Sequence, residues 1–149
     1  MHKDSCLKIA QDWLSHFEKV LQSGKSIDLE DCFHSESHWR DLLAFTGTIS
    51  PYGGAKEISR GLNSFQKIAQ AHSFRIIDKH AQPRLVNRLG RPVIEAIFAF
   101  ETKLGRGEGV VRVPENSQKT AWTFLTTLSE LKGFPEKVGL NRPSGEAYS

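Results

Sequence analysis

The sequence predicts an α+β fold, and three observations carry that expectation. Up to Ala71 the apolar residues recur at three- and four-residue steps, the period of amphipathic helices. From Ser73 to Leu131 they come instead in β-branched and aromatic runs separated by turn residues. Neither layer can bury its apolar stripe alone, so the helices must cover one face of the sheet. With 149 residues and 38% apolar composition, the chain is long enough for one real core without disulfide staples.

The first helix runs from Ser5 to Gln22, with Leu7, Ala10, Trp13, Leu14, Phe17 and Leu21 on its inner face and Gly24 as its stop. A short second helix follows, with Asp28 as its N-cap and Leu29, Cys32 and Phe33 turned inward. In WRDLLAFTGTIS, Thr and Phe content predicts a strand in at least the second half. Pro51, Gly53 and Gly54 break the chain, and Ala55 to Ala71 reads as a third helix with Ile58, Leu62, Phe65, Ile68 and Ala69 buried. The runs SFRIID, PRLVNRL, VIEAIFAFETKL, GVVRVP and TAWTFLTTLSEL then predict an antiparallel meander. We place one domain over residues 1–133, followed by an extended tail over 134–149 rich in Pro, Gly and Ser.

Composition excludes several classes. No apolar run approaches the ~18 residues of a membrane span, and the first 25 residues lack the apolar block of a secretory signal. Cys6 and Cys32 are too few for a disulfide framework or a four-ligand zinc site, and read as apolar fillers in a reduced, cytoplasmic protein. The net charge of +3 is concentrated in Arg75, Arg84, Arg88, Arg91, Arg106 and Arg112. These fall in separate short segments, so they read as a solvated sheet face and not as a nucleic-acid surface. Gly105-Arg106-Gly107-Glu108-Gly109 lacks nucleotide-loop spacing and runs into a strand. It reads as a hairpin turn, and no flavin or nicotinamide site is expected.

Period-2 alternation assigns the candidate chemistry. Trp122, Phe124, Thr126, Leu128 and Glu130 share one face of the last strand. A carboxylate in that row is suited to general acid–base work by desolvation, whereas at the strand's frayed end beside Lys132 it would be solvated. If Phe98 and Phe100 pack on the helices, Glu95 and Glu101 point away from the core. In His34-Ser35-Glu36-Ser37-His38-Trp39-Arg40-Asp41, Arg40 and Asp41 can form a guanidinium–carboxylate pair at a pocket mouth or merely satisfy backbone groups. His34 and His38 have a spacing compatible with one helical face, but no third ligand accompanies them and no metal site is expected; pocket-lining histidines are the simpler reading. Tyrosine occurs only at Tyr52 and Tyr148, so a proton donor must be a carboxyl, a histidine or Tyr52.

HWRDLLAFT, GRGEGVVRVPE and KTAWTFLTTLSELKG occur in this order, and from about Trp13 to Gly133 the chain resembles the NTF2-like (SnoaL-like) family. More narrowly it is similar to the NTF2-like region that precedes fungal flavin-containing monooxygenases and to stand-alone fungal biosynthetic isomerases and semipinacolases. The resemblance implies a cone of helices on a curved sheet. It also implies a cofactor-independent isomerase or cyclase of secondary metabolism, acting on an oxidised hydrophobic small molecule such as a flavin monooxygenase product. On that basis Arg40 would hold a developing oxyanion, Glu130 would move the proton and Asp41 would orient Arg40. Trp39, Trp122, Phe124, Phe98, His38 and Tyr52 would line the substrate, and a homodimer through the outer sheet face is expected. The alternatives are an epoxide hydrolase or dehydratase on the same cone, and a non-catalytic binding or dimerisation module. An open cavity holding Arg40 and Glu130 would favour an enzyme, and a sealed apolar core with Glu130 outside it the module.

Overall fold

The computed structural model describes residues 3–46, 48–77 and 82–131, and the backbone alone for Lys3, Glu130 and Leu131. The tail expected over 134–149 lies outside the described residues. Ten elements follow in order: α1 (Lys3–Ser23), α2 (Ser26–Glu30), β1 (Phe33–Leu42), β2 (Ile49–Gly53), α3 (Ala55–Ala69), β3 (His72–Ile77), β4 (Arg84–Arg88), β5 (Arg91–Glu101), β6 (Gly105–Pro114) and β7 (Ala121–Leu131). No described helix is long and apolar enough to cross a membrane.

The sheet has the order β2-β1-β7-β6-β5-β3, with β4 also pairing β5. From β4 to β7 it is the expected antiparallel meander. The far edge of β5 is shared, since β3 pairs its Ile97–Glu101 end and β4 its Arg91–Glu95 end. The helical half supplies the last two strands: β1 lies parallel to β7, with Trp39 opposite Phe124, and β2 hairpins onto β1. Helices α1 and α3 cover the inner face. Glu18 of α1 accepts the N–H groups of Ser73 and Phe74, which fixes the start of β3 against that helix.

Between the layers the core is a column of rings. Trp13 and Phe17 of α1 stack at 5.0 Å, Phe98 lies on Phe124 at 5.4 Å, and Phe74 on Phe100 at 4.8 Å. Each such ring removes ~150–250 Å² from water, so this column dominates the burial that stabilises the fold. Phe98 and Phe100 do pack inward, and Glu95 and Glu101 do face outward to arginines.

Four local expectations are corrected. Asp28 is inside α2 and not its cap, because the Lys25 carbonyl already accepts the Asp28 and Leu29 N–H groups. In WRDLLAFTGTIS the two ends are strand, Trp39–Leu42 in β1 and Ile49–Ser50 in β2, and Leu43–Thr46 are loop. The chain leaves the ladder at Leu43 (φ +77°), where the Asp41 carboxylate captures the N–H groups of Phe45 and Thr46. Ile68 is 70% exposed, since it lies about 80° around α3 from the Ile58–Leu62–Ala69 stripe. Finally, the glycine-rich run is strand β6, and the turn comes earlier, where Thr102 Oγ1 accepts the N–H groups of Leu104 and Gly105.

Those glycines have a packing cause. Gly107 and Gly109 stand opposite Phe100 and Phe98, whose rings lie over the bare backbone. A methyl group at Gly107 would enter the Phe100 ring; at Gly109 it would meet both the Phe98 ring and the Leu125 carbonyl, which cannot swing aside. Gly109→Ala should therefore cost about 3 kcal/mol and Gly107→Ala about 1–2 kcal/mol in urea unfolding. Equal, negligible losses would refute this account of the ring column.

Candidate functional site

Residues 37, 39 and 41 of β1 point inward, and each is essentially fully buried. Trp39 Nε1–H donates to Thr126 Oγ1 at 2.9 Å, and that hydroxyl donates to Asp41 Oδ1 at 2.6 Å. Asp41 also accepts the N–H groups of Phe45 (3.0 Å) and Thr46 (2.8 Å) and the Thr46 hydroxyl (2.9 Å). Both carboxylate oxygens are occupied, so the group has little capacity left to take a proton from a substrate. Its product is a held loop: Phe45 is seated against Trp39 and Phe100, with centroids 5.7 Å away from each.

Arg40 is exposed on the opposite face of β1. Neighbouring strand residues point to opposite faces, so the expected pair in which Asp41 orients Arg40 is not formed. His38 shares the outer face with Arg40 and is exposed. His34 and His38 stand on a strand and not a helix, and His34 Nδ1 accepts the Glu36 N–H at 3.0 Å.

Trp39, Phe98 and Phe124, expected as substrate walls, belong to the buried core cluster and border none of the described cavities. Trp122 is buried apart from that core cluster, with the Arg91 guanidinium 5.0 Å over its ring. Glu130 has no described side chain. Its place in the Trp122 row depended on unbroken alternation, and a register shift interrupts that alternation. Gly107 stands opposite Leu128, while Arg106 stands opposite Glu130, leaving Ser129 as the extra residue.

Tyr52 is the one expected lining residue on a described cavity. Its ring stacks on Trp39 (4.7 Å, 21°), and with Glu30, Glu57, Arg60 and Phe65 it borders a cleft of about 690 Å³ between α2, β2 and α3. Sequence reading missed Glu30, Glu57 and Arg60 because they belong to separate helices, and the spacing of Glu57 and Arg60 resembles any solvated helix face. It also missed Thr126, which had appeared only as a spacer in the Trp122 row.

On the outer face, Glu95 binds Arg112 (2.7 Å), Arg88 (3.0 Å) and Arg84 (3.5 Å). Burial pushes the Glu95 carboxyl up, but hydrogen bonds and charge from Arg112 and Arg88 outweigh it and hold the group below its ordinary 4.5. Burial, then the charges of Asp31 and Asp28, push the Cys32 thiol up to about 12, so it is an inert filler as expected, placed between α2 and β1.

No protein-family model matches the chain, and no curated protein does. Solved structures share its fold. An NTF2-like design with a long sheet aligns at 12% identity and a TM-score of 0.54, covering 78% of this chain and 98% of the design. A Bacillus subtilis protein provisionally named an isomerase aligns at 10% identity and 0.52, covering 85% and 88%. A Methylobium petroleophilum protein of unknown function with a cystatin-like fold aligns at 11% and 0.53, covering 80% and 75%. At such identities the likeness establishes the fold, an NTF2-like α+β cone.

Asp41→Asn should lower unfolding free energy by about 2–4 kcal/mol, since it replaces one accepting oxygen by an NH2 donor that faces buried donors. Arg40→Ala should change it by less than about 0.5 kcal/mol. Because the Glu95 pKa is lowered on folding, its contribution is present above pH 4.5 and is lost as the pH falls below it. Stability measured against pH should accordingly fall less steeply below 4.5 in Glu95→Gln than in the parent.

Proposed function

We propose that this chain is a non-catalytic NTF2-like module that works by pairing with a second copy through the outer face of its sheet. One observation carries this reading: the interior where a cone-shaped isomerase would hold its substrate is occupied by the Trp39–Phe45–Phe100–Phe98–Phe124 rings. The acid within it, Asp41, is saturated by its own loop. The outer face offers what an assembly surface needs. Ile97, Val110 and Leu125 stand side by side on β5, β6 and β7, only half-buried, and Arg40 ends the row on β1. Charged pairs flank that row, Arg112 with Glu95 on one side and Arg75 with Glu101 on the other. A half-buried apolar strip with charges of both signs beside it can meet its own copy about a two-fold axis.

A second reading rests on the Tyr52 cleft and on the fold shared with the Bacillus subtilis protein. It is a cofactor-independent isomerase or cyclase, with a semipinacol-type rearrangement or cyclisation of an oxidised hydrophobic molecule as its reaction. The source of that molecule would be a flavin monooxygenase, and the setting fungal secondary metabolism. Asp41 is then a structural residue, and Arg40 and Glu130 are tested as Arg40→Ala and Glu130→Gln. Product mass separates isomerisation, which leaves it unchanged, from an epoxide hydrolase, which adds water, and from a dehydratase, which removes it.

Sedimentation equilibrium at tens of micromolar should give a dimer for the parent chain. Leu125→Lys should give a folded monomer with an unchanged far-ultraviolet dichroism spectrum. A monomeric parent would overturn the assembly reading.

A further inference from the structure

The cleft beside Tyr52 is used by neither the ring column nor the outer sheet face. Its floor is aromatic and held still. One face of the Tyr52 ring lies on Trp39, Phe65 stands edge-on to it at 6.5 Å, and Gly61 of α3 closes in where a side chain would touch both Tyr52 and Trp39. A methyl group at Gly61 would come within 3.2 Å of Tyr52 and 3.3 Å of Trp39, so the bare backbone is what lets α3 lie this low. Tyr52 and Phe65 remain half-buried, which leaves apolar ring surface facing the cleft.

The rim on the α3 side is polarised. Lys56 and Arg60 are one helical turn apart, both are exposed, and among the described residues neither makes an ion pair. The intervening acid, Glu57, is held toward the β2 wall of the cleft, where its Oε1 accepts the Gly53 N–H at 2.8 Å. Gly54, at the start of the 15-residue helix, provides no side-chain cap for its first N–H groups. The remaining acid, Glu30, is on α2 at the opposite wall.

We infer that this cleft is a binding site for a flat aromatic molecule with a single anionic substituent. The ring system lies on Tyr52 and Phe65, and the anion faces Lys56 and Arg60. The volume of about 690 Å³ suits a molecule of two or three fused or linked rings. The inference is independent of the pairing of two copies, and it holds whether or not the bound molecule is turned over.

Two fluorescent probes that differ chiefly in charge test it: 8-anilinonaphthalene-1-sulfonate and the neutral N-phenyl-1-naphthylamine. Both should bind the full chain at one site. The double variant Lys56→Ala/Arg60→Ala should weaken the sulfonate about tenfold and leave the neutral probe unchanged, the loss expected for one charge-assisted contact. Ser64→Trp, at an exposed position on the same rim, should weaken both by obstructing the cleft. Urea midpoints of the variants should match the parent, which separates loss of the site from loss of the fold. Undiminished sulfonate binding in the double variant, or binding of both probes unaffected by Ser64→Trp, overturns the assignment. So does binding of neither probe to the parent. Sedimentation of the same samples reads the assembly proposal separately.

Discussion

The hydroxyl of Thr126 occupies the point on which the two halves of this chain depend. It accepts the Trp39 indole N–H and donates its own O–H to the Asp41 carboxylate, joining β7 to β1 and β1 to the loop that follows. Three buried polar groups are satisfied together, each by a partner that would otherwise be orphaned in an apolar interior. The geometry follows: Trp39 is fixed in its rotamer, Tyr52 stacks on one side of it, and Phe45 closes against another. The parallel pairing of β1 with β7, the ladder that joins β1 and β2 to the meander among the described residues, is therefore pinned by side chains as well.

Much of this was legible in residue patterns. The α1 stripe, the five strand runs after Ser73 and the inward turn of Phe98 and Phe124 all follow from periodicity, because in each case burial repeats with the local backbone geometry. Periodicity failed where a side chain competes with the backbone. Nothing in LLAFTGT announces that Asp41 will bind the N–H groups four and five residues ahead, so Thr and Phe content predicts strand where a carboxylate holds a loop. It failed again at Ser129, where one extra residue breaks the count on which the placement of Glu130 relied. The Arg40–Asp41 pair shows a third limit: adjacency in sequence suggested a couple, while strand geometry sends one residue to water and the other into the core.

The same cone can carry quite different uses, and what differs is where the large side chains are spent. Here they are spent inside, with glycines at 107 and 109 making room for two phenylalanines on the neighbouring strand. A sheet packed in this way spends its inner face on rings, and the clefts among the described residues lie at the margins, one of them between α2 and α3.

The bond between Trp39 and Thr126 spans 87 positions of sequence, and that distance imposes an order on biosynthesis. While the chain leaves the ribosome, α1, α2 and β1 emerge before the Thr126 hydroxyl and the Phe98 and Phe124 rings that complete their packing. The meander from β4 to β7 is stitched by hairpins and can assemble by itself as it appears; the N-terminal third must wait for the final strand. During that interval Trp13, Phe17, Phe33 and Trp39 are exposed hydrophobic surface on a nascent chain. Strand β7 thus sets the moment at which the elements made before it can close their core.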